Sequence, residues 1–176
     1  MAEPLDLTVA DHIKADAVGE PGKRMFRIRV VSPSGAAQLW MEKEQLHALA
    51  MAIDQLLVQL QSSKLGRVQP AIPSSESGDF PNRFTIEFRV GRLGLGYDDE
   101  RDLLVLLAHD QESDPEGSPT ATVRASRGQM KTVSAEIGAA MTAGRPRCPL
   151  CNTPIVPGTH HACPGTNGKT PHPVNE

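Results

Sequence analysis

The feature that most constrains the fold is a change in the spacing of apolar residues, from every second residue to every third or fourth. Residues 25–31 alternate apolar and charged side chains, which predicts a strand with one buried face. After a Ser-Pro-Ser-Gly turn at 32–35, residues 36–41 predict a second strand. Residues 43–61 then carry apolar side chains at helical spacing and predict an amphipathic helix. Two strands followed by such a helix indicate an α+β fold.

The same change in spacing occurs again in the second half of the chain. Residues 84–90 show the clearest alternation, and residues 103–108 are nearly all apolar, which favours a central strand buried on both faces. A third strand is predicted at 120–125. The sequence Ser-Arg-Gly-Gln at 126–129 then predicts a capping-box helix start, and we expect that helix to stop at Gly144.

The two halves also align with each other. When residues 39–53 are placed on residues 123–137, Gln45 falls on Gln129 and the apolar helix positions coincide. We therefore predict duplicated strand-strand-helix units that share one antiparallel or mixed sheet. The alternative is chance agreement between two amphipathic helices.

The composition along the chain predicts four parts. The stretch at 62–82 is rich in Ser, Pro and Gly, which is typical of a flexible surface connection. We predict an N-terminal segment at 1–20, a duplicated α+β domain at 21–143 that includes this loop, a zinc-binding-like module at 144–168 and a disordered tail at 169–176.

All three cysteines of the chain lie close together near its C-terminal end, at Cys148, Cys151 and Cys163, with His160 and His161 just before the last one. Cys-x-x-Cys followed by a His and a Cys is a spacing that brings four zinc ligands to one point. A redox pair is disfavoured because proline-containing flanks do not suit a strand–helix junction, and a disulfide framework would leave one cysteine over. The fourth ligand is either His160 or His161.

Four protein ligands leave no position for water or substrate, so the predicted zinc site is structural, in a small zinc-ribbon or knuckle-like tail. The tail is poor in apolar side chains and rich in proline, and we expect metal binding to supply the free energy that orders it.

The charge and composition exclude several function classes. A formal net charge of −3 opposes coating of nucleic acid, and an aromatic content of 3% leaves little material for base stacking. The chain has no apolar run long enough to span a membrane. The acidic first 20 residues are unlike a secretory or transit peptide, so we expect a cytoplasmic protein.

Several motifs together carry a resemblance to a known family. From about residue 5 to about residue 168, the chain resembles an uncharacterised, actinobacterial-type family of bacterial repeat proteins of unknown function. The motifs are Phe88-Arg89-Val90-Gly91, Leu95-Gly96-Tyr97-Asp98, Gly144-Arg145-Pro146, Cys148-Pro149-Leu150-Cys151, His161-Ala162-Cys163-Pro164 and the closing Asn167-Gly168.

The resemblance implies which histidine is the fourth ligand and what kind of partner the protein has. Family members commonly have Gly-His one residue before the last cysteine, where this chain has Thr159-His160-His161, so the family pattern favours His161. Asn152 replaces a usual glycine after Cys151, which affects ligation little. The family has no assigned activity, but its genes neighbour those of a phosphomutase-like histidine phosphatase, which implies a protein partner of that kind.

Two further motifs invite a functional interpretation. The glycines of residues 91–96 resemble a phosphate loop, but no helix pattern follows them, so a bulge or a close backbone approach is favoured. The acidic turn at 98–102 offers carboxylates for a cation or for acid–base chemistry, although acidic turns are usually solvated. His47 and His109 are expected to be ordinary surface or capping histidines.

The sequence therefore predicts a non-catalytic zinc-binding protein with a structural or protein-docking role and ligands Cys148, Cys151, His161 and Cys163. One alternative is an enzyme subunit that acts on a phosphorylated small molecule, using the acidic turn with Arg89 or Arg92. Another is weak nucleic-acid binding by the tail, through the basic residues Arg145, Arg147 and Lys169.

Overall fold

The computed structural model describes residues 4–20, 22–62, 79–114, 116–143, 148, 150, 151 and 153. In these residues, seven strands and two helices form one α+β arrangement, which confirms the predicted fold class. The elements are β1 (Leu5–Val9), β2 (His12–Val18), β3 (Met25–Ser32), β4 (Gly35–Met41), α1 (Lys43–Ser62), β5 (Ile86–Asp98), β6 (Leu103–Asp110), β7 (Ala121–Ser126) and α2 (Arg127–Thr142).

The seven strands form a mixed sheet in the order β1-β7-β6-β5-β4-β3-β2. Its two end strands, β1 and β2, are joined by two residues only. The Ala10 N–H donates to Arg124 C=O on β7 at 2.8 Å, while the Asp11 N–H donates to Val31 C=O on β3 at 2.8 Å. The chain thus passes from one end of the strand order to the other within two residues, and the sheet closes on itself.

Strand β5, in the middle of the sheet, also changes its pairing partner along its length. Its first residues pair in parallel with β4, and the remainder pairs antiparallel with β6. The register shifts between Val90 and Arg92. At Gly91 a Cβ atom would lie 2.8 Å from Cα of Gln111, so only glycine fits there without a backbone shift. The predicted bulge is confirmed, and β5 continues to Asp98 as a strand, so no helix opens after these glycines.

The helices bury their apolar stripes in a core shared with the sheet. Helix α1 buries Leu46, Leu49, Ile53 and Leu60, as its spacing predicts. Each fully buried side chain of this size stabilises the fold by about 1.5–3 kcal/mol. Helix α2 begins at the predicted capping box of Ser126. The two helices contact each other, and their apolar residues belong to one cluster with those of the strands.

The N-terminal region differs from its predicted role. The sequence predicts that residues 1–20 form a segment separate from the domain. The charged residues in this range obscure a short alternation of the apolar residues Leu5, Leu7 and Val9. The structure places β1 and β2 inside the sheet, and Leu7 is fully buried. Most of the loop predicted at 62–82 lies outside the described residues, as does most of the predicted zinc module. No helix among the described residues is long and apolar enough to cross a membrane.

Candidate functional site

Two of the predicted zinc ligands, Cys148 and Cys151, lie in one tight turn. The Cys148 N–H donates to Thr153 C=O at 2.9 Å, and Cys151 Sγ lies 3.3 Å from Thr153 Oγ1. Cys148 is only 2% exposed, whereas the intervening Leu150 is 56% exposed. Both cysteines thus contact Thr153, through the backbone of Cys148 and the sulfur of Cys151.

The other predicted ligands, His161 and Cys163, lie outside the described residues, as does the alternative His160. Within the described ranges, no group of three or more His, Cys, Asp or Glu side chains is placed to hold a metal ion. The four-ligand zinc site therefore stays a prediction.

The acidic turn contains a hydrogen-bonded triad rather than a cation site. Asp102 adopts a left-handed backbone conformation with φ of 55°, which is uncommon for a residue other than glycine. Its carboxylate accepts hydrogen bonds from Tyr97 Oη at 2.6 Å and from Arg127 Nε at 2.6 Å. Burial and the bond to Asp102 raise the pKa of the Tyr97 hydroxyl, against the opposing effect of Arg127. The triad ties the β5–β6 turn to the first residue of α2.

The remaining groups proposed for a phosphorylated substrate are engaged separately. Asp98 accepts a hydrogen bond from the Arg101 N–H at 3.1 Å, which closes the turn. Arg89 lies 3.8 Å from Glu42 in an exposed ion pair. The structure does not bring these groups together into a single site.

His109 is buried, contrary to the expectation of a surface or capping residue. It is 8% exposed, and Arg92 Nη2 lies 3.2 Å from its Nε2. Burial and the neighbouring guanidinium lower the pKa of the imidazole. The cause is the cross-strand pairing of His109 with Arg92, which no local pattern reveals.

A polar network that sequence reasoning missed crosses four strands on one face of the sheet. Arg27 donates to Asp16 at 2.6 Å and to Gln38 at 3.0 Å. Gln38 Nε2 donates to Glu87 Oε1 at 2.8 Å, and Trp40 Nε1 donates to the same oxygen at 2.7 Å. Each side chain by itself resembles an ordinary surface residue, and only the strand register joins them.

A cleft of about 540 Å³ lies beside this network. Residues 87–89 of β5 form one side of the cleft, and residues 110–112, at the end of β6 and in the loop after it, form the other. Among the described residues, the lining contains three carboxylates, from Glu87, Asp110 and Glu112, against the single guanidinium of Arg89. The cleft therefore favours cationic groups.

Comparison with known proteins gives one match. The family model for DUF3090, described as a protein of unknown function, matches residues 6–163. Neither the curated proteins nor the solved structures contain a match to this chain. The matched range runs from β1 through both helices to Cys163. The chain therefore belongs to the DUF3090 family of proteins of unknown function.

Proposed function

We propose that this chain is a non-catalytic zinc-binding protein in which Cys148, Cys151, His161 and Cys163 hold a structural Zn²⁺ ion. The observation that carries the proposal is the bond from the Cys148 N–H to Thr153 C=O, which spans the position of Cys151 and suits a Cys-x-x-Cys turn. Thiolates and a neutral imidazole are the donor set that Zn²⁺ prefers. Four such donors complete a tetrahedron with no open position, which suits a structural role.

The surroundings of the two described thiols suit this donor chemistry. Burial of Cys148 keeps water away from one thiolate, and the Thr153 hydroxyl lies close enough to the Cys151 sulfur to donate to it. Donation to a metal-bound thiolate offsets part of its charge and fixes its orientation.

The proposed role of the zinc module is structural or protein-docking, in the cytoplasm, where thiols stay reduced. A phosphomutase-like histidine phosphatase is the partner that the family resemblance implies. The experiment for that partner is affinity capture of the purified phosphatase, with and without a chelator. Capture that needs the metal supports the docking role.

Metal content tests the site itself. We expect one zinc per chain in protein purified under reducing conditions, loss of this zinc in Cys148→Ser and Cys151→Ser, and retention in the control His47→Ala, which alters an exposed helix residue. Comparison of His160→Ala with His161→Ala identifies the fourth ligand. Absence of zinc from the reduced protein, or full retention in both cysteine variants, would refute the proposal.

We also propose that the α+β domain arose by duplication. In this assignment β1 and β2 together correspond to β5, while β3, β4 and α1 correspond to β6, β7 and α2. Support comes from the parallel pairings, since Leu5 pairs with Ala121 as Ile86 pairs with Ala37. In one half the segment β1–β2 changes its partner strand midway, and in the other half β5 does so. In each half, two further antiparallel strands follow and lead into a helix.

Equivalent side chains make equivalent contacts, which supports the duplication further. Gln129 donates to Ala10 C=O at 2.7 Å, and Gln45 donates to Val90 C=O at 3.1 Å. Each glutamine also accepts a hydrogen bond from the backbone N–H three residues earlier. The start of α2 is thus bonded to the residue that follows β1, the parallel neighbour of β7. The start of α1 is bonded in the same way to β5, the parallel neighbour of β4.

A further inference from the structure

The first half of β5 exposes one of its backbone edges to the cleft. Because N–H and C=O groups of successive strand residues point to opposite sides, Phe88 directs its groups towards β4, while Glu87 and Arg89 direct theirs away. The Arg89 C=O confirms this direction, because it accepts a hydrogen bond from the Gln111 N–H at 2.8 Å on the side away from β4. The Arg89 N–H and the Glu87 C=O therefore face the cleft.

The corresponding edge in the other half is closed. There Ser34 Oγ accepts a hydrogen bond from the Thr8 N–H at 3.1 Å and donates to Asp6 C=O at 3.0 Å. Asp6 on β1 occupies the position of Glu87 on β5, while Thr8 is the extra residue at the register shift before Val9, whose pairing with Arg124 matches that of Arg89 with Trp40. A single hydroxyl from the short β3–β4 turn thus blocks the strand edge, as proteins commonly do to prevent unwanted pairing.

No described residue closes the β5 edge in that way. The loop of residues 111–120 takes the place of the short β3–β4 turn. Its described residues make local bonds instead, from Ser113 Oγ to Asp110 C=O at 2.8 Å and from the Gly117 N–H to Asp114 C=O at 3.0 Å. Within the part of the chain that the structure describes, the result is an open strand edge along a cleft whose volume lies within the usual range of ligand sites, about 300–1,000 Å³.

We propose that this edge binds an extended, basic peptide segment of a partner protein by strand addition. The backbone of the peptide pairs with the Glu87 C=O and the Arg89 N–H, which supplies affinity that depends little on sequence. Its Lys or Arg side chains meet Asp110 and Glu112 across the cleft, and this charge complementarity selects basic over acidic segments.

The chain carries its own reporter for this interaction. Trp40 is the only tryptophan, and its indole N–H donates to Glu87 at 2.7 Å. A peptide strand that pairs beside Glu87 changes the surroundings of that carboxylate. Binding should therefore appear both in the Trp40 indole signal and in the backbone amide signals of Glu87 and Arg89.

The test is a titration of ¹⁵N-labelled full chain with the peptide acetyl-Thr-Lys-Val-Lys-Val-Thr-amide, followed by amide chemical shifts. We expect saturable shifts at Glu87, Arg89 and the Trp40 indole. We also expect affinity to weaken at least about tenfold when Glu replaces both Lys residues of the peptide. The same loss is expected when the alternate backbone nitrogens that pair with the edge are methylated, because methylation removes the donors.

Variants separate edge pairing from simple charge attraction. Arg89→Pro removes the outward N–H and should abolish binding, whereas the matched variant Thr8→Pro on the β1 edge should leave it unchanged. If Arg89→Pro does not fold, Glu112→Lys serves instead and should weaken binding at least about tenfold. In the mirror experiment, Ser34→Ala should open the β1 edge and add shifts at Thr8.

Three results would overturn the proposal. The first is the absence of saturable shifts, and the second is equal binding of the methylated or acidic peptide. The third concerns a segment of the chain itself, since Arg145 and Arg147 are also basic. If Arg145→Ser with Arg147→Ser moves the Glu87 and Arg89 signals in the absence of peptide, the occupant is the chain's own segment and not a partner.

Discussion

Two residues, Asp102 and His109, occupy positions in which their chemistry and their surroundings conflict. Asp102 adopts a backbone conformation that costs a non-glycine residue free energy, and its carboxylate holds Tyr97 and Arg127 in return. His109 is ionisable, yet it lies buried against the cation Arg92. In both cases the local cost is offset by contacts between separate elements, so each residue offers a sharp test of the structure.

His109 should make the folded protein sensitive to acid. Its pKa is lowered in the folded state, so the unfolded chain takes up this proton first when the pH falls below about 6.5. Stability should therefore fall as the pH drops from about 6.5 through the folded pKa. We expect His109→Val, which places the apolar residue found at the equivalent Val31, to flatten this dependence in urea unfolding between pH 7.5 and 5.5. The control His47→Val should keep the wild-type slope; a wild-type slope in His109→Val would contradict the assignment.

Asp102 should show two separable contributions. Asp102→Ala removes charge-assisted hydrogen bonds from Tyr97 and Arg127 and should lower the free energy of unfolding by about 2–3 kcal/mol. Asp102→Gly loses the same bonds but relieves the left-handed backbone, so its loss should be about 1 kcal/mol smaller. Chemical denaturation of both variants measures the difference, and equal losses would mean that the backbone conformation carries no cost.

Among the elements, the two helices are attached to the sheet by equivalent but unequal contacts. Gln129 is 3% exposed and its bond to Ala10 is buried, while Gln45 is partly exposed. Helix α2 has further attachments, because Glu136 accepts a hydrogen bond from the Ala15 N–H at 2.8 Å along the edge of β2 and Arg127 donates to Asp102. Helix α2 is therefore the more firmly fixed of the two.

The glutamine pair gives a matched comparison. Gln129→Ala should lower the free energy of unfolding by about 2 kcal/mol, because a buried backbone acceptor loses its donor. Gln45→Ala should cost about 1 kcal/mol, since water can replace its contacts. Thermal or urea unfolding of the two variants tests this order. A larger loss in Gln45→Ala would indicate that Gln45, and not Gln129, makes the stronger attachment between helix and sheet.

Glu136 should respond to pH in the opposite direction from His109. Burial raises its pKa in the folded state, against the favourable Ala15 N–H, so the folded chain holds this proton more tightly. The contribution of Glu136 to stability should therefore be fully present below its ordinary pKa and should be lost as the pH rises through the folded pKa. Glu136→Gln keeps an acceptor for Ala15 and should remove this dependence; Glu136→Ala should remove it too and should be about 1 kcal/mol less stable than Glu136→Gln at every pH. Unfolding midpoints from pH 4.5 to 7.5 would distinguish the two variants.

Local sequence patterns were sufficient to predict the elements with strong periodicity. They were insufficient to predict features that depend on which strands pair with each other. The capping box at Ser126 and the α1 stripe are properties of consecutive residues, so the sequence predicts both. The second half of β5 was missed because its glycines weaken the strand signal. The buried His109 and the open β5 edge depend on which strands become neighbours, and that is decided by contacts between distant residues. The zinc ligands beyond Cys151 stay predictions.

At the scale of the whole molecule, β1 is the strand that closes the sheet. Strand β1 lies near the start of the domain sequence and pairs with β7, which lies near its end. Asp6 of β1 forms an ion pair with Arg124 of β7. Leu7 lies fully buried in the shared core. A substitution that weakens β1 should therefore lower the stability of both halves of the sheet together.

Leu7→Ala tests this coupling. The cavity should lower the free energy of unfolding by about 2–5 kcal/mol, while the control Met51→Ala, at a residue 61% exposed, should change it by less than about 0.5 kcal/mol. Hydrogen exchange should rise by the same factor in β3 and β4 as in β7, because the closed sheet opens as one unit. A rise limited to β7 would show that the halves open independently.

Because β1 closes the sheet by pairing with β7, it has to wait during synthesis until β7 has been made. Asp6 and Arg124 are 118 residues apart, so at about 5–20 residues per second the first strand leaves the ribosome roughly 6–24 s before its partner is made. During that interval Leu5, Leu7 and Val9 lack their partner strand β7, and the nascent chain carries an unpaired apolar strand. Anything that slows translation lengthens this exposure, so β1 is a segment that a chaperone or a neighbouring nascent chain would contact during synthesis.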